Sequence, residues 1–462
     1  MPIASYAYTV GPAGNRLTAN ETVHPNGIPN TINRICTYDD VYRLTREDIS
    51  VGGTSSPASL NYFYDSVGNR LARQSTLPAL LPQLFSHDPN DRLNTDTYDA
   101  NGNTLFGIVP ASGVGFGAPP TTLGCAYDFE NRLIRATTAD GKTVHIWYDG
   151  DGHRVKKTVV TATNTVTIFY VVDNQNPTGY AQVLEEHVSL DSGPANLDCV
   201  YTYGLMLISQ RRAIGTTGPG VCWVASFYGY DGHNNVRYLT GTAGNITDTF
   251  DYDAFGNLIS RTGDTPNNYF YCGEQLDPDL GLYFLRARYL NPDTGRFWTM
   301  DDFEGGSSDP FSLHKYLYAH ANPVSLRDPS GRESLIGVVF SSGVRALLQK
   351  MTMPHTRTAV VFIGSYALGF GLGIQGPAAT IALLSAAGAG AALIFDILGR
   401  GAVAQRGEIA RLIGISFTTA LAVAQFYNNY IQRITFMGSM GLIGFATGYA
   451  TGMIAYYRLH SS

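Results

Sequence analysis

Charge is scarce in this chain: Asp, Glu, Lys and Arg together make up 15% of its 462 residues. A coiled coil or long-helix protein would be rich in Ala, Glu, Lys and Leu, so that class is excluded. Cysteine is sparse too. Cys36, Cys125, Cys199, Cys222 and Cys272 are scattered, with no C-x-x-C pair. That excludes a disulfide-dense scaffold and a zinc ribbon. Positive charge is in deficit, with a net of -6, which argues against a general nucleic-acid binder. No G-x-x-x-x-G-K-[ST] phosphate loop occurs. No charged segment followed by an apolar one is visible near Met1, so no signal peptide is expected. Disorder is excluded, because 44% of the chain is apolar and 12% aromatic.

What is abundant is glycine, at 51 residues, and tyrosine, at 29. Some of the tyrosine falls in a repeat. Tyr38-Asp39-Asp40-Val41-Tyr42-Arg43-Leu44 returns from Tyr64 to Leu71, from Tyr127 to Leu133 and from Tyr148 to Val155. Looser copies start at Tyr8, His87, Tyr98 and Tyr252. Each copy reads as a hairpin. An aromatic ends one strand, Asp, Gly and Asn take the tight positions, and Leu begins the return. Flanking runs such as Thr165-Val166-Thr167-Ile168-Phe169-Tyr170 suit a pleated surface. One hairpin alone would be marginal, but stacked hairpins share a sheet and bury one another. Nothing in the repeat itself suggests chemistry.

The chain resembles RHS/YD-repeat proteins. The stretch from Phe227 to Gly331 is similar to the RHS repeat-associated core, most specifically in Gly281-Leu282-Tyr283-Phe284-Leu285-Arg286-Ala287-Arg288-Tyr289, Asn291-Pro292 and Gly295-Arg296-Phe297. Asn234-Asn235 stands where a Gly-Ser pair is usual, and Asp302 where Pro is usual. The resemblance implies a sheet that spirals into a shell, a core closing one end, and a variable C-terminal domain held within or released. Shells of that family use more repeats than this, so a fragment or a short, partly open shell is expected, the latter with exposed strand edges. Some members cut themselves just after the core by aspartic-protease-like chemistry. Motif positions carry that role onto Asp301, Asp328 and Arg288. Two neighbouring carboxylates can share a proton and activate water, and an Arg would hold one ionised. Arg332 follows Gly331 where cleaving members tend to have an apolar residue. The same residues could serve structure alone, as turn caps and an ion pair.

The chain is split in charge. Residues 1–332 carry a net of -11, whereas residues 333–462 carry a net of +5 on only 11 charges. Such a shift marks a domain boundary, and Asp328-Pro329-Ser330-Gly331 reads as the turn at the junction. No charge occurs from Thr358 to Phe395. The pattern predicts apolar helices over 359–374, 378–398, 412–432 and 434–457, the last two long enough to span a bilayer. Gly369 with Gly373, and Gly444 with Gly448 and Gly452, place glycines on one helix face, a packing surface in membranes. The tail has only His355, His460, Glu333, Asp396 and Glu408 as candidate ligands or bases, which argues against a zinc deaminase or two-metal nuclease.

The expected architecture is α+β by segments. A β-rich YD-repeat shell over 1–226 leads into an RHS core over 227–332. An all-α, glycine-rich, membrane-inserting domain follows over 333–462. The expected function is to encapsulate or present a membrane-active, toxin-like effector. The alternative is a membrane-anchored surface protein that binds a partner such as carbohydrate. No cofactor and no nucleic acid are expected. Partners would be a lipid bilayer through 359–457, with an immunity protein or secretion machinery. The place would be a membrane, the cell surface or the medium.

Overall fold

A computed structural model describes residues 2–332, except 53–55, 111–119, 215–221 and 306–309, together with the strand Leu335–Ile336. Seven strands, from Ala4–Val10 to Gln83–Leu84, form one sheet. Fourteen strands, from Thr97–Tyr98 to Leu258–Thr262, form a second. In both sheets each strand pairs antiparallel with its neighbour in sequence. The second sheet runs without a break through residue 227. A small four-stranded sheet, Gln275–Asp277 to Arg296–Phe297, follows. Among the described residues, helical structure is confined to 3-10 turns such as Tyr271–Gly273. The β-rich expectation for the shell therefore holds.

The repeat builds one turn again and again. The Asp Oδ1 accepts the backbone N–H four residues on at 2.8–3.0 Å in copies starting at Asp39, Asp65, Asp88, Asp99, Asp128, Asp149, Asp231 and Asp253. The third residue after the Asp has positive φ, from 61° at Asp91 to 107° at Gly68. That is why Gly and Asn recur there. Tyr230-Asp231, which is not among the repeats read from the sequence, makes the same turn.

The tyrosine has a separate job. A register shift at Tyr38, Tyr64, Tyr127, Tyr148, Tyr230 and Tyr252 marks a bulge, which re-aims the side chain. Tyr64 Oη then donates to the Leu44 carbonyl at 2.8 Å, and Tyr148 Oη to the Leu133 carbonyl at 2.9 Å. Tyr230 reaches Leu207 at 2.6 Å and Tyr252 reaches Val236 at 2.8 Å. In the copies at Tyr64, Tyr148 and Tyr252, the acceptor opens the return strand of the preceding repeat. The motif thus closes its own hairpin through Asp and fastens the hairpin before it through Tyr.

Inward residues of both sheets pack on the segment 254–324. Leu123, Val144 and Ile146 meet Leu280, Leu282, Tyr289 and Trp298. Leu44, Leu60 and Tyr62 of the first sheet meet Phe255. These contacts bury apolar side chains against one another, which burial at about 25 cal/mol per Å² favours. The first sheet also touches the far end of the second. Tyr8 Oη accepts the Gly232 N–H at 2.8 Å, and Arg16 Nη2 donates to the Gly232 carbonyl at 3.3 Å. The edge strand Ala4–Val10 is paired within its sheet only to Arg16–Val23.

Among the described residues no helix is long and apolar enough to cross a membrane. The four expected spans, and Gly369, Gly373, Gly444, Gly448 and Gly452, lie outside the described residues.

Candidate functional site

Residues far apart in sequence converge where the core ends. Arg288 starts the strand Arg288–Asn291, and Asp301 follows the strand Arg296–Phe297. Asp328 follows the two-residue strand Leu326–Arg327, which pairs with Leu335–Ile336. The Arg288 guanidinium is buried and lies over the Phe297 ring at 3.6 Å. Its Nη2 is 2.6 Å from Asp301 Oδ2 and 3.6 Å from Asp328 Oδ2. Its Nη1 donates to the Lys315 carbonyl at 3.1 Å, and its Nε donates to the Gly331 carbonyl. The structure therefore brings Arg288, Asp301 and Asp328 to one place.

The turn from Asp328 to Arg332 is stitched onto the strand end opposite. Arg286 Nη1 donates to the Pro329 carbonyl at 2.6 Å, and the Ala287 N–H to the Ser330 carbonyl at 3.2 Å. Asp328 Oδ1 accepts Ser330 Oγ–H at 2.9 Å and the Arg332 N–H at 3.2 Å. Gly331 has φ +70°, and a Cβ there would stand 2.4 Å from the Leu285 carbonyl oxygen. Only glycine lets the turn lie this close.

Burial sets the electrostatics. Asp328 is 2% exposed, and its carboxyl is pushed up to about 6 by burial, against the pull of Arg288. Burial also raises Asp301, again opposed by Arg288. The Arg288 guanidinium is lowered by burial, with both carboxylates opposing. The arrangement holds an acid that keeps its proton to about pH 6, a carboxylate bonded to a cation, and a polarised peptide carbonyl.

Sequence reasoning missed two features. One is the pair Asp302–Arg332, with Nη2 to Oδ2 at 3.1 Å. The other is a buried charge cluster where the first sheet meets the second. Arg34 Nη1 binds Glu47 Oε1 at 2.6 Å, and Arg237 Nη1 binds Glu21 Oε2 at 2.7 Å. Arg237 Nη2 also meets Asp251. A cavity of about 50 Å³ opens among these residues, with Asp231 and His233 on its wall. The available signal was charge at inward strand positions, as in Ala19, Glu21 and Val23. Among the described residues, no group of three His, Cys, Asp or Glu is placed to hold a metal.

No protein-family model matches. The tRNA nuclease WapA of Bacillus subtilis strain 168 is 26% identical over 312 residues, 62% of this chain and 11% of WapA. The tRNA3(Ser)-specific nuclease WapA of Bacillus spizizenii is 26% identical over 287 residues, 54% of this chain and 11% of that protein. By fold, the chain is similar to a crystal structure of TcdB2-TccC3-Cdc42, with TM-score 0.53 and 17% identity, over 74% of this chain and 17% of that one. The likeness to the Photorhabdus luminescens Tc holotoxin pore carrying a TccC3 mutation has the same TM-score, identity and coverage. Together they support the RHS/YD-repeat family. In fold the likeness is to β-rich structures, and the chain spans about a tenth of the length of the WapA proteins it matches.

Proposed function

We propose that this RHS shell segment presents a C-terminal membrane-active effector and frees it by cutting its own chain at the Gly331–Arg332 peptide. Residues 227–332 act as the RHS core in this reading. The observation that carries it is the seating of that peptide. Its carbonyl lies on Arg288 and its N–H on Asp328. Asp301 shares the same guanidinium. The peptide stands at the boundary where the chain becomes poor in charge.

The chemistry is hydrolysis. Asp301, as carboxylate, takes a proton from water, and the water oxygen bonds to the Gly331 carbonyl carbon. Arg288 stabilises the charge that grows on the carbonyl oxygen. Asp328, as the protonated acid, gives its proton to the Arg332 nitrogen as the C–N bond breaks. The products are a C-terminal carboxylate on Gly331 and a free amine on Arg332. The released tail, 332–462, would insert through the apolar segments 359–374, 378–398, 412–432 and 434–457. Gly369 with Gly373, and Gly444 with Gly448 and Gly452, would form helix contacts. An immunity protein and a secretion apparatus are the partners this function requires, and delivery would be to the cell surface or medium.

The test is a time course of the purified full chain by intact mass and N-terminal sequencing. We expect a new terminus at Arg332, fastest below about pH 6 and slowing as Asp328 ionises. Asp328→Asn and Asp301→Asn should each slow it at least a hundredfold, in keeping with loss of a general acid or base. One uncut 50.0 kDa species across pH 4 to 8 would refute cleavage. Membrane action is tested separately, by whether 332–462 alone dissipates the potential of lipid vesicles.

A second reading has its own support. Trp147 and Phe169 stand on the outward face, each about 40% exposed, with Lys156 Nζ 4.3 Å from the Trp147 ring centre. An aromatic and cationic strip of this kind suits carbohydrate. The chain would then be a membrane-anchored surface protein, and glycan-array binding lost in Trp147→Ala would favour it.

A further inference from the structure

Two consecutive acids hold two arginines at the junction. Asp301 holds Arg288, which bonds the Gly331 carbonyl, and Asp302 holds the side chain of Arg332, the next residue. The platform under both acids is fixed. Asp301 N–H donates to the Lys315 carbonyl at 2.9 Å, and Asp301 Oδ1 accepts the Phe303 N–H at 3.0 Å. Lys315 Nζ donates to the Phe303 carbonyl at 2.5 Å. Arg332 is held by its backbone as well, its N–H shared between Asp328 Oδ1 and Ser330 Oγ, each at 3.2 Å.

We infer that Asp302 is a positioning residue for self-cleavage: it grips the Arg332 side chain and so presents the peptide before Arg332 to Asp301 and Asp328. The site thereby selects a cation at the first position beyond the cut. This rests on the cleavage reading above. The pair is exposed, 63% at Asp302 and 59% at Arg332, so its effect is a modest one on rate. It also acts on the site at a distance. The Asp302 charge raises the Asp301 carboxyl, and the Arg332 charge lowers the Arg288 guanidinium, in each case after larger causes. Removing the Asp302 charge should therefore let Asp301 ionise at lower pH.

The experiment follows cleavage of the full chain by intact mass, in wild type, Asp302→Asn, Arg332→Gln and the double variant. Each is measured from pH 4 to 8, at 0.1 M and 1 M NaCl. Each single change should slow cleavage about two- to fivefold at low salt, as expected for an exposed ion pair. The double variant should be no slower than the slower single one. High salt should bring the wild type to the same rate and leave the double variant unmoved, because screening removes only a pair that exists. The acid limb of the rate profile should move to lower pH in Asp302→Asn, a change that loosened packing would not produce. Wild-type rates and an unmoved acid limb in both single variants would overturn the inference and leave self-cleavage standing. Absence of cleavage in the wild type at every pH would sink both.

Discussion

Arg237 Nη1 and Glu21 Oε2 meet at 2.7 Å across 216 residues of sequence, with both side chains buried. Arg237 is also held by the Phe250 carbonyl at 3.0 Å, by Asp231 and by Asp251. Glu47 accepts the Ala254 N–H at 2.9 Å and so ties the second sheet's last turn to the first sheet. The two sheets are joined here by charge, whereas elsewhere they share apolar packing.

A buried charge stripped of its partner is costly, so the seam should be sensitive. Arg237→Met leaves Glu21, Asp231 and Asp251 buried around an apolar side chain. We expect it to destabilise the unit by about 3–5 kcal/mol. Calorimetry on the full chain should show the loss as a lower Tm, and Arg237→Lys should recover part of it.

The tyrosine clasp predicts a smaller and repeated effect. Tyr148→Phe keeps the ring and removes only the donor to the Leu133 carbonyl. The cost should be about 1–2 kcal/mol, as for one buried hydrogen bond whose acceptor is left unpaired. Tyr64→Phe should behave alike through Leu44. The two sites lie in different sheets, so their effects should add.

Glu47 gives a pH dependence with a definite sign. Burial pushes its carboxyl up to about 7 from 4.5, against the pull of Arg34. The folded state therefore binds this proton more tightly than the unfolded state. Its contribution is complete below about pH 4.5 and is lost as pH rises through about 7. Glu47→Gln removes that dependence. The wild type should lose roughly 1–3 kcal/mol relative to Glu47→Gln between pH 4.5 and 8, read from denaturant midpoints. A constant gap between the two would count against the shift.

The sequence by itself determined the repeating turn and the partition of charge. The turn is legible because all its parts lie within five residues. Asp128 bonds the Arg132 N–H, and Asn131 takes positive φ, whatever the rest of the chain does. The likeness of motif also named Arg288, Asp301 and Asp328 together. Only the tertiary structure decided what those residues touch, because their contacts run across 13 to 43 positions and depend on how the core folds back. It alone paired Asp302 with Arg332, whose identities looked like unrelated departures from the family pattern. It alone closed the seam through Glu21 and Arg237, since an inward charge on a strand does not announce its partner. Local hydrogen bonds fix the hairpin, whereas burial of distant charges is settled only when the sheets meet.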